Sequence, residues 1–99
     1  MVIPYALHAL VEPQPAVRVT AARALAVLAF DAETALPDLA RALTDPDVAV
    51  RVAVLEAIGE FSERAASFAP LIAEILTRAM TDEERIAATD ALHNVGAVR

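Results

Sequence analysis

The chain repeats itself with a period of 33 residues, and this period limits the fold more than any other feature of the sequence. Two sets of residues keep the spacing: Pro4, Pro37 and Pro70, and Leu10, Leu43 and Leu76. After Leu76 the register slips by one residue, which indicates a single insertion before Glu84. Periods of this length are typical of stacked supersecondary units. The sequence therefore predicts one domain over 1–99, with repeats near 1–33, 34–66 and 67–99.

Each repeat has the pattern of two helices separated by a turn. Leu36, Leu39 and Leu43 recur at the spacing of one helix face. The Glu-Pro pair at 12–13 and the Asp-Pro pair at 45–46 indicate turns, since proline disfavours helical geometry in the preceding residue. The predicted helices lie near 3–11, 16–29, 35–44, 48–61, 68–79 and 82–95. With 58% hydrophobic residues and two glycines, the predicted class is all-α, an α-solenoid of three helical hairpins.

Side chains that can cap helices mark the expected helix starts. Thr34 and Ser67 precede the first helices of the second and third repeats. Asp47 precedes a second helix, and Thr81 opens a Thr-x-x-Glu capping box before another. Gly96 is expected just beyond the last helix, where a glycine commonly ends it.

A motif in the second repeat runs from Pro37 through Leu43-Thr44-Asp45-Pro46-Asp47 and Val50-Arg51 to Ala57-Ile58. The first repeat matches it as Pro4, Leu10-Val11-Glu12-Pro13 and Val17-Arg18. This pattern resembles HEAT repeats, in the bacterial HEAT-like variety that includes the phycobilin lyase repeats. The resemblance covers the chain and implies three HEAT-like hairpins with six helices.

The resemblance also implies a structural ladder, in which a turn acid pairs with an arginine six residues later and each arginine bridges the turn acids of its own and the next repeat. The predicted ladder comprises Glu12, Arg18, Asp45, Arg51 and Arg85. We expect the Asp45 carboxylate to hold Arg51, Arg18 or both. The third repeat has Ala79 where the acid belongs, so Arg85 should lack an equivalent turn acid. An anion-binding stripe of arginines is the less favoured interpretation.

The residues needed for catalysis or metal binding are scattered. The chain has no cysteine, and its two histidines, His8 and His93, fall in the first and last repeats, which do not touch in a solenoid. Ser62 and Ser67 have no histidine within their repeat. Adjacent acids at 83–84 are interpreted as first-turn residues stabilised by the helix dipole. We therefore expect no enzyme activity, no catalytic residue, no cofactor and no metal site.

The charge excludes two further classes of partner. The net charge is −6, and all eight basic residues are arginine. Such a chain lacks the basic patch that binds nucleic acid and the basic face that binds anionic lipid. The most apolar segment, 21–30, carries Arg23 and is too short to span a bilayer. No signal peptide is evident at the N-terminus. We expect a cytoplasmic protein that binds neither nucleic acid nor membrane.

Some equivalent positions, here called columns, change character between repeats. Core columns stay apolar, as in Leu25, Ile58 and Leu92, which we expect to be almost fully buried. Two second-helix columns vary: Arg23, Glu56 and Asp90, and Ala26, Gly59 and His93. Because varying columns are expected to face solvent, the candidate binding face comprises Arg23, Glu56, Asp90 and His93. An ordinary solvated face is the equal alternative.

The column Val19, Val52 and Ile86 is expected to pack between repeats, with a peptide groove as the alternative.

These features favour a non-catalytic protein–protein interaction or scaffold module. One alternative, suggested by the resemblance, is an accessory subunit of a chromophore lyase-like or other enzyme complex. Another is an engineered or excised repeat unit, since the chain holds three repeats. The terminal repeats look as apolar as interior ones, with residues such as Ile72, Ile75 and Ile86. We therefore expect a protein partner, or self-association through these apolar terminal repeats.

Overall fold

A computed structural model describes residues 7–27 and 32–96, without the side chains of 32–34. Five α-helices lie within these residues: α1 (Pro15–Val27), α2 (Ala32–Ala42), α3 (Val48–Glu60), α4 (Ala69–Arg78) and α5 (Asp82–Asn94). A 3₁₀ helix, Ser62–Phe68, joins α3 to α4, and residues 7–9 form a helical turn before α1. The described residues contain no strand, so the predicted all-α class is confirmed. Most of the helix predicted near 3–11 lies outside the described residues.

The helices stack as a solenoid. The second helices of the three repeats are α1, α3 and α5, and α3 packs against both of the others. The first helices of the second and third repeats pack against this row, with α2 against α3 and α4 against α5. The structure extends over 36 × 27 × 17 Å. Each helical hairpin therefore contacts its neighbours along the chain, as expected for a repeat architecture.

The core runs between the two rows of helices. Leu25, Ile58 and Leu92 are 1%, 0% and 9% exposed, which confirms the predicted core column. The largest fully buried side chains are Phe61, Leu25, Leu39, Leu43, Leu55, Ile58, Ile72, Val50, Val54 and Val95. The middle repeat contributes most of them, because α3 is covered by a helix on each side.

Three of the predicted helix boundaries are confirmed, two by side-chain hydrogen bonds at the N-cap and one by a backbone angle. The Asp47 carboxylate accepts a hydrogen bond from the Ala49 N–H at 2.8 Å, and the Thr81 hydroxyl accepts one from the Glu84 N–H at 3.1 Å. Gly96 has a φ of 86°, the left-handed conformation that only glycine adopts without strain.

The predictions for Thr34 and Ser67 as caps are wrong. Helix α2 begins at Ala32, so Thr34 lies inside it, because alanine and glutamate at 32–33 favour helix. Ser67 lies within the 3₁₀ helix, and the N-cap position of α4 is Phe68, which has no side-chain cap hydrogen bond. Before α4, the 3₁₀ helix thus replaces the expected start at a hydroxyl.

Two predicted columns do not keep one environment along the stack. In the Val19 column, Val19 and Val52 are half-buried, whereas Ile86 is 61% exposed, because no described helix lies beyond α5. In the Ala26 column, Gly59 is buried rather than exposed, because α5 covers it. Burial at these positions depends on the neighbouring repeat and not on the column alone.

Gly59→Ala is expected to raise the free energy of unfolding by about 0.5–1 kcal/mol, because alanine is the better residue inside a helix. A Cβ at this position would lie 3.2 Å from the Asn94 amide nitrogen, the end of an exposed side chain that can rotate away. Urea denaturation followed by circular dichroism measures the change. A loss of stability that Asn94→Ala does not relieve would contradict this account.

Candidate protein-binding face and arginine ladder

The first rung of the ladder joins repeat one to repeat two. Arg18 binds the Asp45 carboxylate through Nε–Oδ2 at 2.7 Å and Nη2–Oδ1 at 3.2 Å. Its Nη1 donates to the backbone carbonyls of Glu12 and Pro13 at 2.7 and 2.8 Å. The guanidinium thus binds its own turn through backbone oxygens and the next repeat through a carboxylate. Glu12 contributes its carbonyl to this rung and not its side chain.

Asp45 holds Arg18, one of the outcomes predicted for it, whereas the second rung uses a different acid. Arg51 donates from Nη1 to the Asp45 carbonyl at 2.7 Å, but its carboxylate partner is Glu84, at 2.8 and 3.0 Å. The Asp45 carboxylate is paired with Arg18 and forms no ion pair with Arg51. Glu84 is 3% exposed, so it is a buried ladder residue and not merely a first-turn acid. It occupies the column of Val17 and Val50, where the sequence leads one to expect an apolar side chain.

The third arginine has partners within its own repeat. Arg85 donates from Nη1 to the Ala79 carbonyl at 3.3 Å, the same contact that the other two arginines make with the residue six positions earlier. Its ion pair is with Asp82 in the same helix, and the two side chains are 48% and 86% exposed. No turn acid pairs with Arg85 among the described residues.

Burial and pairing set the electrostatics of the second rung. The two hydrogen bonds with Glu84 raise the pKa of Arg51 above its ordinary value and outweigh the opposite effect of burial. Arg51 is therefore charged throughout the pH range in which proteins fold. Its side chain is 22% exposed and that of Glu84 is 4% exposed, so the pair is a structural contact with little access for a ligand.

The second helices form a separate surface, here called the second-helix face, which carries two grooves. The groove between α1 and α3 has a cavity volume of about 330 Å³ and is lined by Arg23, Ala26, Val27, Ala53, Glu56, Ala57 and Glu60. The groove between α3 and α5 has a cavity volume of about 240 Å³ and is lined by Val52, Leu55, Glu56, Glu60, Glu83, Ile86, Ala87, Asp90, Ala91 and Asn94. Glu56 and Glu60 form the ridge that the two grooves share.

The structure brings together three of the four residues predicted for the binding face. Arg23 lines the first groove, Asp90 lines the second, and Glu56 lines both. All three are exposed. His93 is also exposed, but it lines neither groove, since it lies in the Ala26 column on the side of α5 that faces away from α3.

Several residues of this face were not in the predicted binding face. Val27 and Ile86 are its exposed large apolar side chains, at 85% and 61% exposed, and Ile86 belongs to the column for which a peptide groove was the alternative prediction. Val27, Glu60 and Asn94 occupy one column, and its change from apolar to acidic to amide is the same signal that identified Arg23, Glu56 and Asp90. Glu83 lies in a column that otherwise holds Ala16 and Ala49, and it was interpreted only as a first-turn acid.

Several acids are grouped on the second-helix face. Glu56, Glu60, Glu83 and Asp90 are exposed and take part in none of the ion pairs among the described residues. A larger cavity of about 820 Å³ near the first turn is also lined by charges, most of which are paired as Arg18–Asp45 and Arg41–Asp38. Four unpaired acids are therefore grouped on the second-helix face, whereas Glu12 and Glu63 are exposed and unpaired elsewhere among the described residues.

Other functional groups stay apart. His8 and His93 are both exposed, and the described residues contain no group of three or more His, Asp or Glu side chains placed to hold a metal ion. Ser62 and Ser67 are exposed in the 3₁₀ helix. Among the described helices, none has the length and hydropathy needed to cross a membrane.

Stacked helical hairpins joined by an arginine ladder define an α-solenoid. A sequence model of HEAT repeats matches residues 3–93, so the chain belongs to the HEAT-repeat family. HEAT repeats generally mediate protein–protein interaction. A search of curated proteins found no match to the chain.

Proposed function

We propose that the chain is a non-catalytic cytoplasmic module that binds a protein partner through the second-helix face. The observation that carries this proposal is the presence on one surface of exposed apolar side chains and charges that have no ion-pair partner among the described residues. The charged residues of the first two rungs of the ladder, by contrast, form ion pairs with each other. The same surface would serve an accessory subunit of an enzyme complex, because such a subunit also acts by binding protein.

A binding role rather than catalysis is supported by the distribution of polar groups. The ladder arginines and acids are hydrogen-bonded within the fold and hold its repeats in register. The grooves are open and shallow, and their polar side chains lie along a row of helices rather than converging on one point. A solenoid of this kind offers an extended surface suited to another protein chain.

At the α5 end of the stack, the described residues are less apolar than predicted. Of Ile72, Ile75 and Ile86, only Ile86 is exposed, and the others are 0% and 3% exposed. On the outer side of α5, Thr89 occupies a column that elsewhere holds buried apolar residues. Thr20 does the same on the outer side of α1. Polar residues at such faces are typical of capping repeats, so we favour the second-helix face over self-association through the ends.

Photo-crosslinking from two positions tests the proposal. A benzophenone amino acid at Glu56, on the ridge of the face, is expected to crosslink a partner in a lysate of the producing cell. The same group at Ala73, exposed on α4, serves as the control and should capture nothing. Crosslinking from Ala73 alone, or from neither position, would refute the proposal. A product of twice the chain's mass would instead identify self-association.

A further inference from the structure

The groove between α3 and α5 combines an apolar floor with acidic sides. The floor is formed by Val52, Leu55, Ala87 and Ala91, with Ile86 at its edge. Ile86 is 61% exposed, so apolar area stays in contact with water there. Burying such area against a partner is favourable in proportion to the area removed from water. The groove is thus suited to an aliphatic side chain.

Carboxylates lie on both sides of this floor. Glu56 and Glu60 belong to α3, whereas Glu83 and Asp90 belong to α5. An incoming cation would not need to displace an existing partner, because these four acids form no ion pair among the described residues. The whole chain carries a net charge of −6, which adds long-range attraction for a basic partner.

We propose that this groove binds a cationic segment of a partner protein, in which arginine or lysine side chains flank an aliphatic residue. The aliphatic residue packs beside Ile86 and Val52, and the cations face the acids of α3 and α5. The neighbouring groove is less suitable, because Arg23 lines it and repels a cation. This inference rests on the proposed function, since it names the chemistry of the partner for the same face.

Binding of synthetic peptides to the full chain tests the charge and the apolar contact separately. Three fluorescent peptides of equal length are compared by anisotropy: arginine alternating with leucine, glutamate alternating with leucine, and arginine alternating with serine. The arginine–leucine peptide is expected to bind at least about tenfold more tightly than either of the others. Its affinity should fall as salt is raised, because exposed charges are screened. Equal binding of the arginine–leucine and glutamate–leucine peptides, or of the arginine–leucine and arginine–serine peptides, overturns the inference.

Matched variants locate the binding site. Glu56→Gln with Asp90→Asn should weaken binding of the arginine–leucine peptide by about tenfold. The control, Glu12→Gln with Glu63→Gln, removes the same charge from two exposed acids outside the groove and should change affinity by less than about twofold. Ile86→Ser should weaken binding by about fivefold through the lost apolar contact. Equal losses in the two double variants would show attraction to net charge alone and would overturn the inference.

The two proposals fail in different ways. If Glu56 crosslinks a partner but the groove shows no preference for the arginine–leucine peptide, the face binds protein and the cationic partner is excluded. If no partner is crosslinked from Glu56, the proposed function itself fails. Circular dichroism of each variant confirms folding, which these exposed substitutions should leave unchanged.

Discussion

Arg51→Met is expected to lower the free energy of unfolding by about 3–5 kcal/mol. The substitution removes the guanidinium that pairs with Glu84. Because the Glu84 side chain is 4% exposed, its carboxylate is then buried without a partner of opposite charge. It also takes the Nη1 donor away from the Asp45 carbonyl. Urea denaturation monitored by circular dichroism measures the loss.

Two further variants isolate the cause. Arg85→Met should cost less than about 1 kcal/mol, because its ion pair with Asp82 is exposed to water. Adding Glu84→Leu to Arg51→Met should recover most of the lost stability, since no buried charge is then left unpaired. Equal losses for Arg51→Met and Arg85→Met, or a double variant no more stable than Arg51→Met, would contradict the importance of the buried pair.

Ile58→Ala is expected to destabilise the protein by about 2–5 kcal/mol, the usual cost of truncating a buried aliphatic side chain and leaving a cavity. Ile58 is 0% exposed and lies in α3, which packs against the second helices of both neighbouring repeats, so the cavity cannot close from one side. The same denaturation measurement applies. Ile86→Ala is the control, and a change of about 0.5 kcal/mol or less is expected there because Ile86 is 61% exposed. A loss below about 1 kcal/mol for Ile58→Ala would contradict the assigned core.

The helices and the core could be predicted because they depend on local spacing. The positions of Leu25, Ile58 and Leu92 follow from the repeat period, and burial at such columns needs only that the hairpins stack. The cap at Asp47 and the end at Gly96 follow from the chemistry of those side chains. Each of these features depends on residues that are close together in the sequence.

The remaining features depend on contacts between repeats, which the period does not describe. Glu84 stands in an apolar column, and its burial is explained only by Arg51, 33 residues earlier in the chain. Gly59 and His93 share a column, yet α5 covers Gly59 while no described helix covers His93. The grooves of the second-helix face arise from the approach of neighbouring helices, so the sequence did not place Glu83 in a groove.

Because Glu84 replaces a turn acid in the second rung, the third repeat can have a longer connection between its two helices, α4 and α5. Between α2 and α3 the carboxylate for Arg18 is supplied by Asp45, which lies in the turn, so a residue added there would move the acid away from its arginine. Glu84 lies instead on the first turn of α5. The connection between α4 and α5 can therefore change length without breaking the bond to Arg51, and the single inserted residue of the chain lies in this stretch. Because the acid that binds Arg51 lies on a helix and not in a turn, the alignment of neighbouring repeats does not depend on the length of the turn.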